Sequence, residues 1–404
     1  MNSKVMGISD NAAPAIAAPA VQSWLLWAGF ILVSLNLRLI FATVGPLLET
    51  LQLGFSSTLL VTTLPLVLLG LFSIPGVKLR HWLGEERALF GALALLVLGC
   101  GLRGFGELAL IAGTVLGSAG IAVMNVIMPA LARKRFGPQR MGLVMGVYAL
   151  MLGAGAVLGA SVSLPLSQAL GAGQPGAFAS LGLWAVPALL ALLVWLPQLR
   201  HKAAVVGHGG HASAPVNVYR DRTAWAITLF FGLQVLNLFV FLPWMPTLLK
   251  DRGTTLAEAA LVFSLSQICL MVASFVTPLV AARSRDQRPH IVLTVLLCLA
   301  GTLGLLYMPV GSVLAWACLL GVGQGAGLSL GTFLFVGKAA SIDTATRISA
   351  MAQTVGYLIA VAGPLLIGAL YQRTGDWNLP VLILAGILLL ELVVALPAGR
   401  DVKV

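Results

Sequence analysis

The sequence predicts an all-α membrane protein with twelve transmembrane helices arranged in two six-helix halves. Three observations lead to this prediction: an apolar composition, apolar segments of spanning length that recur along the chain, and basic residues confined almost entirely to the breaks between them. Of the 404 residues, 59% are hydrophobic and only 9% are charged. So few charged residues cannot cover the surface of a water-soluble domain of this size.

A helix needs about 20 apolar residues to cross a bilayer. Because the number of segments that meet this requirement is even, both chain termini are expected on the same side of the membrane. The twelve predicted spans are 24–48, 57–75, 88–103, 108–131, 141–170, 180–198, 223–249, 257–282, 290–309, 312–338, 347–372 and 378–397.

The basic residues indicate which side of the membrane the termini occupy. Loops and tails on the side of the termini hold nineteen Lys and Arg, whereas the opposite loops hold four. Lys and Arg accumulate in cytoplasmic loops, so the chain is predicted to be a multi-pass membrane protein with both termini in the cytoplasm. The net charge of +11 then reflects topology, and no nucleic-acid partner is expected.

The polar segments divide the chain into domains. The longest break contains a Gly-rich run with His208 and His211, which indicates a flexible linker; two histidines without further ligands do not make a metal site. Leu35-Asn36-Leu37 recurs 201 residues later as Leu236-Asn237-Leu238, which favours duplicated halves. The predicted units are a disordered cytoplasmic tail (1–22), an N-terminal half (23–198), a cytoplasmic linker (199–222), a C-terminal half (223–397) and a cytoplasmic tail (398–404).

Arg38 is the residue around which a function is predicted. It lies near the middle of the first span, where an arginine costs about 2.5–3.5 kcal/mol on insertion scales. A guanidinium group cannot escape this cost by deprotonation, because its pKa stays above about 12. We therefore expect Arg38 to meet a water-filled cavity, a partner or an anionic ligand, and it is the only Lys or Arg that we place deep inside a span. Asn36, two residues earlier, is expected to point to a different side.

Uncharged polar residues inside the spans are the other candidates. For any one of them the simpler alternative is an inter-helix hydrogen bond, worth about 0.6 kcal/mol on average. Gln353 and Tyr357 are four residues apart, and Gln234 and Asn237 are three apart, so the members of each pair share a helix face. The predicted substrate-binding residues are Arg38, Asn36, Asn125, Tyr148, Gln234, Asn237, Gln267, Gln353 and Tyr357.

Nothing in the sequence indicates an enzyme, a bound metal or a cofactor. The chain has no HExxH, GxSxG or P-loop motif, and no cluster of Cys, His or acidic ligands. Amides and a phenol around a guanidinium group suit a small planar polar or anionic solute, and the other expected partner is membrane lipid around a monomer. Proton coupling and counter-anion coupling both stay open; Glu391, in the last span, could pair with a neighbour, reach the interface or relay protons.

With twelve spans in two halves of similar sequence pattern and short basic loops, the chain resembles the major facilitator superfamily. The segment from Gly76 to Arg87 stands where that superfamily has a Gly–Asp–Arg–Gly–Arg signature, but here the aspartate is absent and Glu85-Glu86 replace basic residues. From Trp24 to Asp401 the chain further resembles the cyanate and 2-nitroimidazole transporter family within that superfamily. The matching motifs are Asn36-Leu37-Arg38, Val44-Gly45-Pro46-Leu47-Leu48, Asn125 with Pro129 and Phe136, Trp244 with Pro246, Gln267, Met351-Ala352-Gln353, Gly356-Tyr357, Gly363-Pro364 and Ala398-Gly399-Arg400-Asp401.

The resemblance implies an inner-membrane carrier of small planar solutes, such as cyanate or a nitroimidazole, that works by alternating access. It also implies that Arg38, Asn125, Gln267, Gln353 and Tyr357 are the best site candidates. The alternative is a multidrug-type exporter with an apolar cavity, in which Arg38 has a structural role. A membrane sensor or intramembrane enzyme is disfavoured, because the loops and tails are short and no nucleophile or metal set is present.

Overall fold

The computed structural model describes residues 24–200 and 217–404. Within these two stretches the chain is helical and has no β-strand. The predicted tail at 1–22 and most of the predicted linker at 199–222 lie outside the described residues. Twelve helical spans, numbered α1 to α12, follow one another: Trp24–Leu51, Phe55–Leu83, Glu85–Leu102, Glu107–Phe136, Met141–Leu170, Gly173–Leu199, Arg222–Asp251, Leu256–Ala281, Arg288–Tyr307, Val313–Gly337, Ile342–Thr374 and Asn378–Ala395.

Eleven of these spans are long and apolar enough to cross a membrane by length and composition. The exception is α3, an 18-residue helix whose first turn carries Glu85, Glu86 and Arg87. It nevertheless packs along α4 and α6 like a spanning helix. With α3 included, the predicted number of twelve spans agrees with the structure.

Several helices are longer than the apolar segments from which they were predicted. The second predicted span, 57–75, belongs to a helix that continues to Leu83 through Lys78 and Arg80. The sixth predicted span, 180–198, begins instead at Gly173. Hydropathy marks only the part of a helix that meets lipid, whereas charged residues at the membrane edge are good helix formers and extend it.

Two spans are interrupted, and the interruption of α1 has a local cause in its Gly45-Pro46 pair. α1 runs as an α-helix to Ala42, turns at the Gly45-Pro46 pair and resumes at Leu48–Leu51. A proline cannot donate the backbone hydrogen bond that a continuous helix would need at its position. α6 is broken at Trp184, between two 11-residue helical segments.

The same packing pairs occur in both groups of six helices. In the first six, the closest pairs are α1 with α5, α2 with α4 and α3 with α4; in the second six, they are α7 with α11, α8 with α10 and α9 with α10. Each pair of the second group is a pair of the first with six added to both numbers. The groups meet mainly through α2 against α11 and α5 against α8. The structure therefore has the predicted fold class of two six-helix halves.

Glycines permit the closest helix contacts within each half. A side chain at Gly155 or Gly159 of α5 would collide with the α1 backbone at Leu35 or Leu39. In the second half, Gly321 of α10 is held in the same way against the backbone of α8. Close approach through small residues is the usual means of helix association in membranes, where lipid and side chains are equally apolar.

Candidate solute-binding site

Arg38 lies in α1 at the boundary between the two halves. It is half-buried, and its guanidinium carbon is 6.0 Å from the ring centre of Phe239 on α7. The guanidinium group also interacts with the hydroxyl group of Tyr357 on α11. In the described part of the chain no carboxylate forms an ion pair with Arg38. The cation is therefore held by an aromatic ring and a phenol, and its charge is not neutralised.

Phe239 was absent from the predicted site, although the sequence contained a signal for it. The repeat that relates Leu35-Asn36-Leu37 to Leu236-Asn237-Leu238 at an offset of 201 continues for one more residue, which pairs Arg38 with Phe239. The two side chains occupy equivalent positions in α1 and α7 and face each other across the interface between the halves. A cation within about 6 Å of an aromatic face gains electrostatic stabilisation from the ring.

A hydrogen-bonded chain of polar residues joins the halves beside Arg38. The Tyr148 hydroxyl on α5 donates to Asn125 Oδ1 on α4 (3.3 Å), and Gln353 Nε2 on α11 donates to the Asn125 backbone oxygen (3.0 Å). Gln353 Nε2 also donates to Ser349 Oγ (2.8 Å), whereas Gln353 Oε1 is buried and has no partner in residues 24–200 and 217–404. This leaves one buried acceptor free beside the cation.

The structure brings five of the nine predicted residues together in this region. Gln353 and Tyr357 lie on one face of α11, as their spacing predicts, and both face the first six helices. Asn36 and Arg38 are two residues apart, and their side chains point to different sides of α1, as expected. The residues that converge are Arg38, Asn125, Tyr148, Gln353 and Tyr357.

Three predicted residues lie in contacts between helices of the same half. Asn36 Nδ2 donates to the backbone oxygens of Leu32 (2.8 Å) and Pro187 (3.2 Å), which joins α1 to α6. Gln234 Nε2 on α7 donates to Glu391 Oε1 on α12 (2.7 Å).

Asn237 Oδ1 accepts a hydrogen bond from Gln324 Nε2 on α10 (2.8 Å), so it too lies inside the second half. The remaining predicted residue, Gln267 on α8, is half-buried and makes no hydrogen bond with the described residues. The structure thus separates the nine candidates into five beside the interface, three within a half and one that is unbonded.

Arg103 is a second cation that the fold buries, at the end of α3 and not deep inside a span. Arg103 follows the last residue of α3, at the end of the third predicted span, and only 2% of its surface is exposed. Nη1 donates to the backbone oxygen of Ile40 on α1 (3.2 Å), and Nε has no partner. Burial lowers the pKa of this guanidinium group to about 10. In the sequence, the glycines at 99 and 104 indicate this tight packing, because a side chain at either position would meet the backbone of a neighbouring helix.

The two halves are fastened together at the end of the bundle that holds the α2–α3 turn. Arg80 Nη1 on α2 lies 3.1 Å from Asp343 Oδ1 in the first turn of α11, and Arg80 Nη2 lies 2.9 Å from Glu85 Oε1. Arg80 stands in the Gly76–Arg87 segment that resembled the superfamily signature. The expected aspartate is therefore replaced by a charge pattern that still forms ion pairs at this end.

Arg133 provides a second contact of this kind. Its Nη1 donates to the backbone oxygens of Val336 (3.0 Å) and Ala339 (2.7 Å), at the carboxyl end of α10. A cation at that end is also favoured by the helix dipole. Arg80 and Arg133, from two helices of the first half, thus bind two helices of the second half.

A sequence model of the Major Facilitator Superfamily matches residues 26–364 of this chain. The chain belongs to the Major Facilitator Superfamily. The chain is 35% identical over 385 residues to a 2-nitroimidazole transporter of Escherichia coli (strain K12), which covers 94% of this chain and 96% of that protein. It is 28% identical to the cyanate transport protein CynX of the same organism, over 90% of this chain and 95% of that one. The family and the names of these relatives make the protein a transporter and not an enzyme.

The fold of this superfamily member is also found among solved structures. The proton:xylose symporter XylE, solved with 6-bromo-6-deoxy-D-glucose, superimposes with a TM-score of 0.75 at 13% identity. The match covers 94% of this chain and 97% of that one. At this identity the likeness concerns the arrangement of helices alone. It confirms the predicted multi-pass major facilitator fold.

Proposed function

We propose that this transporter carries a small planar polar or anionic solute by alternating access, with Arg38 as the central cationic contact. The observation that supports the proposal most directly is a half-buried guanidinium group with no neutralising carboxylate, beside Phe239 and Tyr357 of the other half. An anion would supply the missing charge through a bidentate contact with the guanidinium fork. A planar solute could in addition stack against the aromatic ring.

The polar groups beside Arg38 would orient the solute. Gln353 Oε1 is a buried acceptor without a partner, so it can receive an N–H or O–H group of the solute. A solute bound here would touch both halves, because the residues come from α1, α4, α5, α7 and α11. The proposed site consists of Arg38, Asn125, Tyr148, Phe239, Gln353 and Tyr357; Asn36, Gln234 and Asn237 are assigned to helix packing, and Gln267 remains a candidate.

Alternating access requires the fastened end of the bundle to open. By the excess of Lys and Arg, this end and both termini face the cytoplasm of a bacterial cell. The halves 23–198 and 223–397 would then rock against each other, with 199–222 as the cytoplasmic link. Since one chain supplies every residue of the proposed site, a monomer in the inner membrane suffices for transport.

The names of the relatives support the solute class. 2-Nitroimidazole and cyanate are both small and planar, and each is the solute named for a relative that covers at least 90% of this chain.

A thermal-shift screen of the purified protein tests the proposal. The panel contains small planar anions and nitroheterocycles, with wild type beside Arg38→Ala and the matched control Arg373→Ala, an exposed arginine at the far end of α11. A ligand at 100 times its Kd stabilises the folded state by about 2.7 kcal/mol. We expect one chemical class to raise the melting temperature of wild type and control but not of Arg38→Ala.

Equal shifts in all three proteins would remove Arg38 from the site. That result, together with resistance of expressing cells to several unrelated lipophilic compounds, would favour a multidrug-type exporter in which Arg38 is structural. The proposal is supported if the compound that raises the melting temperature is taken up by wild type but not by folded Arg38→Ala.

A further inference from the structure

Glu391 of α12 is a buried carboxyl group that the proposed solute site does not use. The residue has no exposed surface. Its Oε1 accepts a hydrogen bond from Gln234 Nε2 on α7 (2.7 Å), and its Oε2 has no partner among the described residues. Such a group is costly in the interior of a membrane protein and often marks a functional site.

In the part of the chain that the structure describes, no cation lies beside Glu391 to neutralise it. α12 packs against α7, α9 and α11. From α7 the carboxyl group meets the neutral amide of Gln234, and from α9 it meets the thiol of Cys298, which donates to Gln234 Oε1 (3.8 Å). No charged group of α11 interacts with it in the described part of the chain. A carboxylate would be uncompensated here, so the neutral acid is the form that fits this closed arrangement.

We propose that Glu391 is a proton-binding site that couples solute transport to proton movement. This inference rests on the proposed function and adds its coupling ion. The proton would leave the carboxylic acid for water and form hydronium, and the resulting carboxylate would take a proton back from water later in the cycle. No other reactant is needed.

The position of Glu391 provides both a route for the proton and a link to the solute. Glu391 lies four residues before Ala395, the end of α12, which corresponds to about 6 Å along the helix axis. Water that enters this end when the halves separate would need to cross about one helical turn. The hydrogen-bond partner, Gln234, lies on α7 five residues before Phe239, the ring that faces Arg38. A change of charge at Glu391 therefore acts on the helix that borders the solute site.

The experiment uses the full-length protein in proteoliposomes with radiolabelled cyanate and 2-nitroimidazole as probes. Wild type is compared with Glu391→Gln and with the matched control Glu49→Gln, an exposed carboxylate near the end of α1. Exchange at equal pH on both sides measures transport itself, and accumulation under an imposed pH gradient measures coupling. We expect Glu391→Gln to retain exchange within about twofold of wild type and to lose gradient-driven accumulation, while Glu49→Gln behaves like wild type.

Gradient-driven accumulation that survives in Glu391→Gln would overturn the proposal, as would wild-type exchange that no pH gradient can drive. Absence of exchange of both probes in wild type would instead count against the proposed solute class. In that case, or if Glu391→Gln does not fold, infrared spectra of wild type and Gln234→Leu decide the matter. A carboxylic acid C=O band at neutral pH that shifts in Gln234→Leu and disappears in alkali supports the proton site, and its absence refutes it.

Discussion

Replacing Arg133 by methionine should release the end of the bundle at which the halves are fastened. Arg133 Nη1 donates to two carbonyl groups at the end of α10, Val336 O and Ala339 O, at 3.0 and 2.7 Å. Methionine retains the apolar stem and removes the charge and both hydrogen bonds. Both contacts join the first half to the second, so they are lost whenever this end opens. The substitution should therefore destabilise the closed state without unfolding either half.

The size of this destabilisation of the closed state follows from the two hydrogen bonds. A hydrogen bond from a charged donor contributes about 1.5–3 kcal/mol in proteins. Because Arg133 is half-buried, solvent weakens each bond, and we take about 2–3 kcal/mol for the pair. This amount changes the ratio of open to closed states by about 30- to 150-fold.

Spin labels at positions 82 and 285, which are exposed at the same end but belong to different halves, would measure this ratio from interlabel distances. Arg347→Met is the matched control. Arg347 Nε is 2.7 Å from Asp343 Oδ2, four residues away on the same helix, so this ion pair does not join the halves. We expect a larger population at long distance in Arg133→Met alone. An unchanged distribution, or an equal change in the control, would refute the assignment of Arg133 as a contact that closes this end.

Three further substitutions probe the packing around the site. Arg103→Met should raise the melting temperature, because a buried guanidinium charge opposes folding, although the lost bond to α1 offsets part of the gain. Burial lowers the pKa of Arg103, so the unfolded chain holds this proton to higher pH than the folded chain does; wild-type stability should therefore rise in alkali, and Arg103→Met should lack this rise. Gly155→Ala should lower the melting temperature by several degrees, because the added methyl group meets the backbone of α1. Tyr148→Phe removes a 3.3 Å hydrogen bond to Asn125 and should reduce transport by no more than about fivefold, equivalent to about 1 kcal/mol, in an uptake assay.

Each of these three predictions can be contradicted by a specific result. Gly91→Ala is the matched control for the glycine, because a side chain at Gly91 would meet nothing within 4 Å; an equal loss of stability in both variants would contradict the packing argument. A lower melting temperature in Arg103→Met would mean that the bond to Ile40 matters more than the buried charge. Complete loss of uptake in a folded Tyr148→Phe protein would mean that its hydroxyl group contacts the solute directly.

Much of this structure could be predicted from the sequence because the bilayer imposes the same requirement on each helix separately. Each helix must cross about 30 Å of hydrocarbon with its backbone hydrogen bonds satisfied internally, so the apolar segments alone revealed the spans. Helical periodicity likewise placed Gln353 and Tyr357 on one face and separated Asn36 from Arg38. The 201-residue repeat contained the pairing of Arg38 with Phe239, although only the structure made its importance visible.

The tertiary structure decided which polar side chains meet. Gln234 and Asn237 resemble site residues in sequence, yet their helix turns them into the second half, toward Glu391 and Gln324. Arg103 ends the third predicted span, and nothing in its local sequence shows that it is buried against α1, which lies far from it in the chain. Hydropathy and spacing depend on the nearest residues, so they determined the helices and their faces. The neighbours of each face depend on contacts between distant helices, and only the packed bundle determines those.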